Sequence, residues 1–72
     1  MGRPNAEDVA STVHEEFGYE YTVESNSEFY VHNVDASDAT SLSKFVSVRG
    51  FNLYVGDIEN AQSADLRAEA SE

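Results

Sequence analysis

Two histidines, fourteen carboxylates and several hydroxyl side chains are the groups in this chain that could do chemistry. His14 is followed by Glu15 and Glu16, but no second histidine comes one turn later, so the zinc-protease pattern is absent. His32 lies in a predicted strand, on the sheet face that points away from the helices. We expect His14 to be a solvated surface imidazole and His32 to have no chemical role. The sequence therefore predicts no metal site.

No activated nucleophile is recognisable in the sequence. Cysteine is absent, and no serine has a G-x-S-x-G setting or a His–acid partner nearby in the chain. Acidic pairs such as Glu15-Glu16 and Glu20/Glu24 arise by chance among fourteen acids, and a chain of 72 residues has little interior in which to tune a carboxylate pKa. The glycines are isolated, so there is no phosphate-binding loop. We predict a protein that is not an enzyme and holds no cofactor.

Net charge is the most unusual feature of the composition. Fourteen Asp and Glu face four Lys and Arg, which gives a formal net charge of -10, and Lys44 is the single lysine. Such a chain repels itself at ordinary ionic strength, and molar salt removes most of that repulsion because the screening length falls to about 3 Å. Excess carboxylate, scarce lysine and many small residues resemble the composition of cytoplasmic proteins from salt-accumulating halophiles. The alternative is an ordinary acidic domain with an acidic tail.

The length of the chain is enough for one small domain. No stretch approaches the roughly 20 apolar residues that a membrane span needs, and the N-terminus lacks a signal-peptide pattern. We expect the cytoplasm as the location. Because a domain of this size without disulfides often gains stability from a partner subunit, we also expect a homo-oligomer or a protein partner.

Hydrophobic spacing predicts a helix followed by a hairpin in the first half of the chain. The helix is predicted over residues 5–17, with Asn5 as its N-cap and Gly18 as its C-terminal stop. Alternating apolar and polar residues predict strands over 19–24 and 28–34. Their short connection makes them an antiparallel pair.

Two structures compete for the segment that follows. Apolar residues at helical spacing predict a second helix over 38–48. A rival interpretation makes 45–48 a strand of a second hairpin, which the β-branched Val46 and Val48 favour. The alternation over 51–55 predicts a third strand in either case.

The resulting order, α-β-β-α-β, predicts an α+β fold. Two helices would pack on one face of a three-stranded mixed sheet, with a right-handed parallel crossover between the second and third strands. Residues 1–58 would form the domain. Residues 59–72 would be an acidic C-terminal tail, either a frayed helix or disordered, and whether it orders on binding stays open.

The outer face of this sheet is the predicted interaction surface. Its candidate residues are Tyr30, His32, Val34 and Tyr54. They could simply stabilise the sheet by cross-strand pairing, or they could bury against a second copy or another protein, since tyrosine is favoured at interfaces. A third interpretation is a base-stacking platform for single-stranded RNA, which the acids Glu20 and Glu24 on the same face oppose.

The leading hypothesis is a small, non-enzymatic protein-interaction or regulatory module. The alternative is a small nucleic-acid-associated regulator working at high salt. It would use Lys44 and Arg49, on one side of the second helix, together with the tyrosines of the sheet. Net negative charge opposes phosphate binding at ordinary salt. The segment Gly2-Arg3-Pro4 resembles the core of a minor-groove AT-hook, but it lacks basic flanks. An acidic mimic of nucleic acid is a third hypothesis.

Overall fold

The computed structural model describes residues 5–56, 58 and 61–71. Its elements in chain order are α1 Ala6–Phe17, β1 Tyr21–Ser25, β2 Glu28–Asp35, a 3-10 turn Ala36–Asp38, α2 Ala39–Ser47, β3 Phe51–Tyr54 and β4 Ser63–Ala70. The Gly2-Arg3-Pro4 segment lies outside the described residues, as do Asp57, Glu59, Asn60 and Glu72. No helix in the described ranges is long and apolar enough to cross a membrane.

The sheet has four strands in the order β1-β2-β4-β3, and every neighbouring pair is antiparallel. The prediction of a three-stranded mixed sheet with an acidic tail is therefore wrong. Most of the predicted tail is strand β4, which lies between β2 and β3. Because β2 and β3 both run antiparallel to β4, they point the same way, but the crossover through α2 skips one strand position.

Strand β4 escaped the sequence analysis because its alternation is carried by alanine. Ala64, Leu66, Ala68 and Ala70 alternate with Asp65, Arg67 and Glu69. Alanine is a poor strand former, so this period-two pattern gives a weak signal. In the sheet its small size is useful, because Ala68 lies opposite Phe29 and Ala70 lies opposite Phe51. The two rings fill the space that the alanines leave, with centroids 5.5 Å apart.

Both helices pack on one face of the sheet and enclose a single core. The fully buried side chains with the largest volumes are Phe29, Phe51, Leu42, Val9, Val13, Val31, Val34 and Val46. Asn5 caps α1, since its side-chain oxygen accepts a hydrogen bond from the Asp8 N–H at 2.9 Å. Gly18 ends α1 in the left-handed region at φ 84°, where its N–H donates to the His14 carbonyl.

The second helix forms as the apolar spacing predicts. It spans Ala39–Ser47 and buries Ala39, Leu42 and Val46, so the rival strand over 45–48 is not formed. Helical spacing places the three buried side chains on one stripe, whereas alternation would have placed Val46 and Val48 on one face. Val48 instead caps the helix and is 79% exposed.

A bulge in β2 moves Val34 from its predicted position on the outer face into the core. Asn33 has φ 57°, a left-handed conformation, and the register with β4 shifts between Val31 and Val34. Asparagine is among the residues that tolerate this conformation. The extra residue reverses the alternation, so that Val31 and Val34 are both fully buried.

Candidate functional site

The candidate site is the face of the sheet opposite the two helices, hereafter the outer sheet face. It is formed by Thr22, Glu28, Tyr30, His32, Asn52, Tyr54, Asp65, Arg67 and Glu69. These side chains are exposed or half-buried, and no described helix or strand covers them. Of the four residues predicted for this surface, the structure places Tyr30, His32 and Tyr54 on it and Val34 in the core.

The register of the strands sets four side chains in one row across the outer sheet face. Thr22 lies opposite Tyr30, Tyr30 opposite Arg67, and Arg67 opposite Tyr54. Cross-strand neighbours of this kind have Cβ atoms about 4.5–5.5 Å apart, so the two tyrosines flank the guanidinium. Arg67 is absent from the residues predicted for this face, because it falls in the predicted tail.

Contacts to both neighbouring strands hold Arg67 in place. Its guanidinium lies over the Tyr54 ring, 4.7 Å from the centroid. Its Nη1 is 3.5 Å from Glu69 Oε2 and 3.9 Å from Glu28 Oε2. The Tyr54 hydroxyl donates to Glu69 Oε1 at 3.2 Å. Arg67, Tyr54 and the two glutamates therefore form one connected cluster.

Tyr30 differs from Tyr54 in the hydrogen bonding of its hydroxyl group. Its ring is half-buried in the row, next to Arg67. Among the described residues, no hydrogen bond to the Tyr30 hydroxyl is formed. This phenol is therefore a donor and acceptor available to a molecule that covers the face.

His32 joins a second cluster that ties three strands together. Its Nε2 is 2.7 Å from Thr22 Oγ1 on β1, and its Nδ1 is 3.2 Å from Asp65 Oδ2 on β4. The other carboxylate oxygen, Asp65 Oδ1, accepts the Asn33 N–H at 2.9 Å. Neither contact of His32 is predicted from the sequence: alternation places Thr22 on the same face without fixing the register, and Asp65 falls in the predicted tail.

This cluster has the order of groups found in hydroxyl–imidazole–carboxylate catalysis. Such catalysis also needs donors aimed at the developing oxyanion and a site that excludes water. Here the Asp65 side chain is 61% exposed and the His32 side chain 35% exposed. We therefore interpret the cluster as a cross-strand hydrogen-bond network that fixes the register of the outer sheet face. No group of three or more metal-type ligands occurs in the described part of the chain.

The Asp65 carboxyl offers a direct test of this network. The Asn33 N–H and then His32 lower the pKa of Asp65 from its usual value near 3.8. The pKa of Asp65 is thus lower in the folded protein than in the unfolded chain. The ionised carboxylate therefore stabilises the fold at pH values above the unfolded-state pKa, and this stabilisation is lost as the pH falls through the folded-state pKa. We expect His32→Gln to raise the Asp65 pKa part of the way back, as measured by carboxyl NMR titration. His14→Gln, on the exposed side of α1, is the control and should leave it unchanged; an Asp65 pKa insensitive to His32→Gln would contradict the network.

The two predicted nucleic-acid contacts line different cavities. Lys44 is exposed beside a cavity between α2 and the end of β3. Arg49 follows α2 and lines a cavity with Asp8 and Thr12. The Arg49 guanidinium lies 3.8 Å above the Phe45 ring centroid and donates to the Phe45 carbonyl at 2.9 Å. The structure thus gives Arg49 a role in finishing the helix and does not bring the two cations to one site.

Comparison with known protein families, with curated proteins and with solved structures finds no match for this chain. Its function is therefore inferred from its own side chains.

Proposed function

We propose that this chain is a small, non-enzymatic protein-interaction module whose outer sheet face binds a second copy of itself. The observation that carries the proposal is the row of Tyr30, Arg67 and Tyr54 on a four-stranded sheet, which no described helix or strand covers. Tyrosine and arginine are enriched in interface cores and among the residues that contribute most binding energy.

The row is already ordered in the single chain. Arg67 is held by the Tyr54 ring and two carboxylates, and Tyr54 by a hydrogen bond to Glu69. Binding therefore immobilises few side chains that were free before, which lowers the entropic cost of association. The Tyr30 hydroxyl supplies a hydrogen-bonding group for the partner.

Self-association is favoured over another occupant because the face carries both signs of charge side by side. Arg67 lies in one row, and Glu28 and Glu69 lie opposite each other in the next. A two-fold axis between these rows sets the guanidinium of each copy against the carboxylates of the other, which is the self-complementarity that an isologous dimer requires. A chain of 72 residues also gains burial that it lacks alone.

Salt adaptation is part of the same proposal. The surface of a protein of net charge -10 repels a second copy, and molar salt screens that repulsion. We expect the dimer to strengthen as salt rises, as suits the cytoplasm of a salt-accumulating cell. The excess of Asp and Glu over Lys and Arg in the composition supports a high-salt cytoplasm as the setting.

The test is sedimentation equilibrium in about 0.1 and about 2 M potassium chloride, where the screening lengths differ severalfold. Tyr30→Ala should weaken the dimer by about tenfold or more, because it truncates a central interface residue. Val48→Ala is the control, since Val48 is 79% exposed at the end of α2, away from the outer sheet face. A wild-type chain that stays monomeric at both salts, or a mass unchanged by both Tyr30→Ala and Tyr54→Ala, would overturn the proposal.

A nucleic-acid-associated regulator is the second candidate. A guanidinium between two tyrosine rings is an arrangement on which single-stranded bases stack. The carboxylates of Glu28 and Glu69 beside Arg67 oppose a phosphate backbone there. Binding of single-stranded RNA or DNA that Arg67→Gln abolishes would favour this candidate, and no binding at any salt in the same series would remove it.

A further inference from the structure

A cavity on the helix side of the molecule is independent of the outer sheet face. It lies where α2 meets the end of β3, and its apolar floor is formed by Ala39, Val55 and Ile58. Its volume is about 310 Å³, at the lower end of the range for small-molecule sites. Ala39 and Ile58 are only 5% and 3% exposed, so the floor belongs to the packed core.

Polar groups lie together on the α2 side of the cavity. Thr40, Ser43 and Lys44 are spaced three and four residues apart on the helix, which places them on neighbouring positions of one face. Lys44 is the single lysine of a chain with fourteen acids, yet no described carboxylate forms an ion pair with it. Among the described lining residues, the cavity thus joins an apolar floor to one cation and two hydroxyl groups.

We propose that this cavity binds an aliphatic monocarboxylate. The alkyl chain lies on Ala39, Val55 and Ile58, and the carboxylate accepts hydrogen bonds from the Lys44 ammonium and the hydroxyls of Thr40 and Ser43. An ammonium is a compact charge with three rotatable donors, so it accommodates a carboxylate without a fixed geometry.

Size and charge narrow the class of ligand. At roughly 30 Å³ per water-sized group, the cavity holds about ten non-hydrogen atoms, the number in octanoate. A net charge of -10 repels every anion, and it repels a dianion such as a phosphate ester twice as strongly as a monoanion. A single carboxylate paired with one lysine is therefore the favoured head group for this cavity.

The experiment is a titration of the full chain with octanoate at about 0.15 M potassium chloride. At this salt concentration the screening length is about 8 Å, longer than the distance across an ion pair, so the attraction between Lys44 and the carboxylate persists. Amide chemical shifts are the readout. We expect shifts at α2 and around Val55 and Ile58, and weaker binding of 1-octanol, which has the chain without the charge. Lys44→Gln should weaken octanoate binding about fivefold, the upper value for an exposed ion pair.

Two further variants separate the site from a general effect on folding. Ser41→Leu places an apolar side chain at an exposed position of α2 outside the cavity and should leave octanoate binding unchanged. Ser43→Leu places an apolar side chain in the cavity and should block binding while the far-UV circular dichroism stays that of the folded chain. Equal affinities for octanoate and 1-octanol, equal affinities of the wild type and Lys44→Gln, or shifts confined to the outer sheet face would overturn the proposal.

Discussion

We expect a chain that ends at residue 60 not to fold. The deletion removes β4, which pairs with β2 on one side and β3 on the other, and it exposes the Phe29 and Phe51 rings. Loss of the buried Leu66 side chain alone costs about 2–5 kcal/mol. That is comparable with the total stability of about 3–5 kcal/mol that a domain core of this size supplies. Circular dichroism of the truncated chain should show no cooperative thermal transition.

Two point variants check that the deletion acts through the strand. Leu66→Asp puts a charge into the core and should unfold the protein, because a buried unpaired carboxylate is strongly unfavourable. Arg67→Gln changes the next residue, which points to the outer sheet face, and should leave the chain folded. A disordered acidic tail would tolerate the deletion and both substitutions, so a two-state transition in the truncated chain would contradict the four-stranded sheet.

Raising the potassium chloride concentration from about 0.1 to about 1 M should stabilise the folded chain by about 2 kcal/mol. Over this range the screening length falls from about 10 to about 3 Å. A radius of gyration of 11.1 Å corresponds to a sphere of about 14 Å radius. Ten charges on that sphere lose on the order of 3 kcal/mol of repulsion over this salt range, and the unfolded chain loses part of the same energy. The expected rise in the midpoint of thermal unfolding is about 10 °C.

Charge variants and a neutral solute distinguish screening from other effects of salt. Glu15, Glu16 and Glu24 are exposed, and replacing all three with glutamine changes the formal net charge from -10 to -7. The unfolding midpoint of this variant should therefore rise less with salt than that of the wild type. Sucrose stabilises folded proteins because it is excluded from their surface, and it does not screen charge. It should therefore raise the unfolding midpoints of the wild type and the variant equally. A midpoint that does not move with salt, or equal slopes for the two proteins, would contradict a repulsion-limited fold.

The outer sheet face was predictable only where local alternation holds. Alternation around Phe29 and Val31 correctly turns Tyr30 and His32 outward. It fails at Val34, because the bulge at Asn33 adds a residue that no period-two pattern reveals. Asparagine at the bulge is a signal in retrospect, but it is equally typical of an ordinary turn.

The sequence by itself determined the features that depend on neighbours along the chain. These are α1 with its asparagine cap and glycine stop, the β1–β2 hairpin, the apolar stripe of α2, and the net charge of -10.

The tertiary structure alone decided the position of β4. An alanine-rich strand has little propensity of its own, and it is stable here because two ladders and two phenylalanine rings surround it. Its insertion between β2 and β3 also brings Asp65 to His32 and Arg67 between Tyr30 and Tyr54. The candidate site is therefore made by long-range pairing, which the local pattern of residues does not encode.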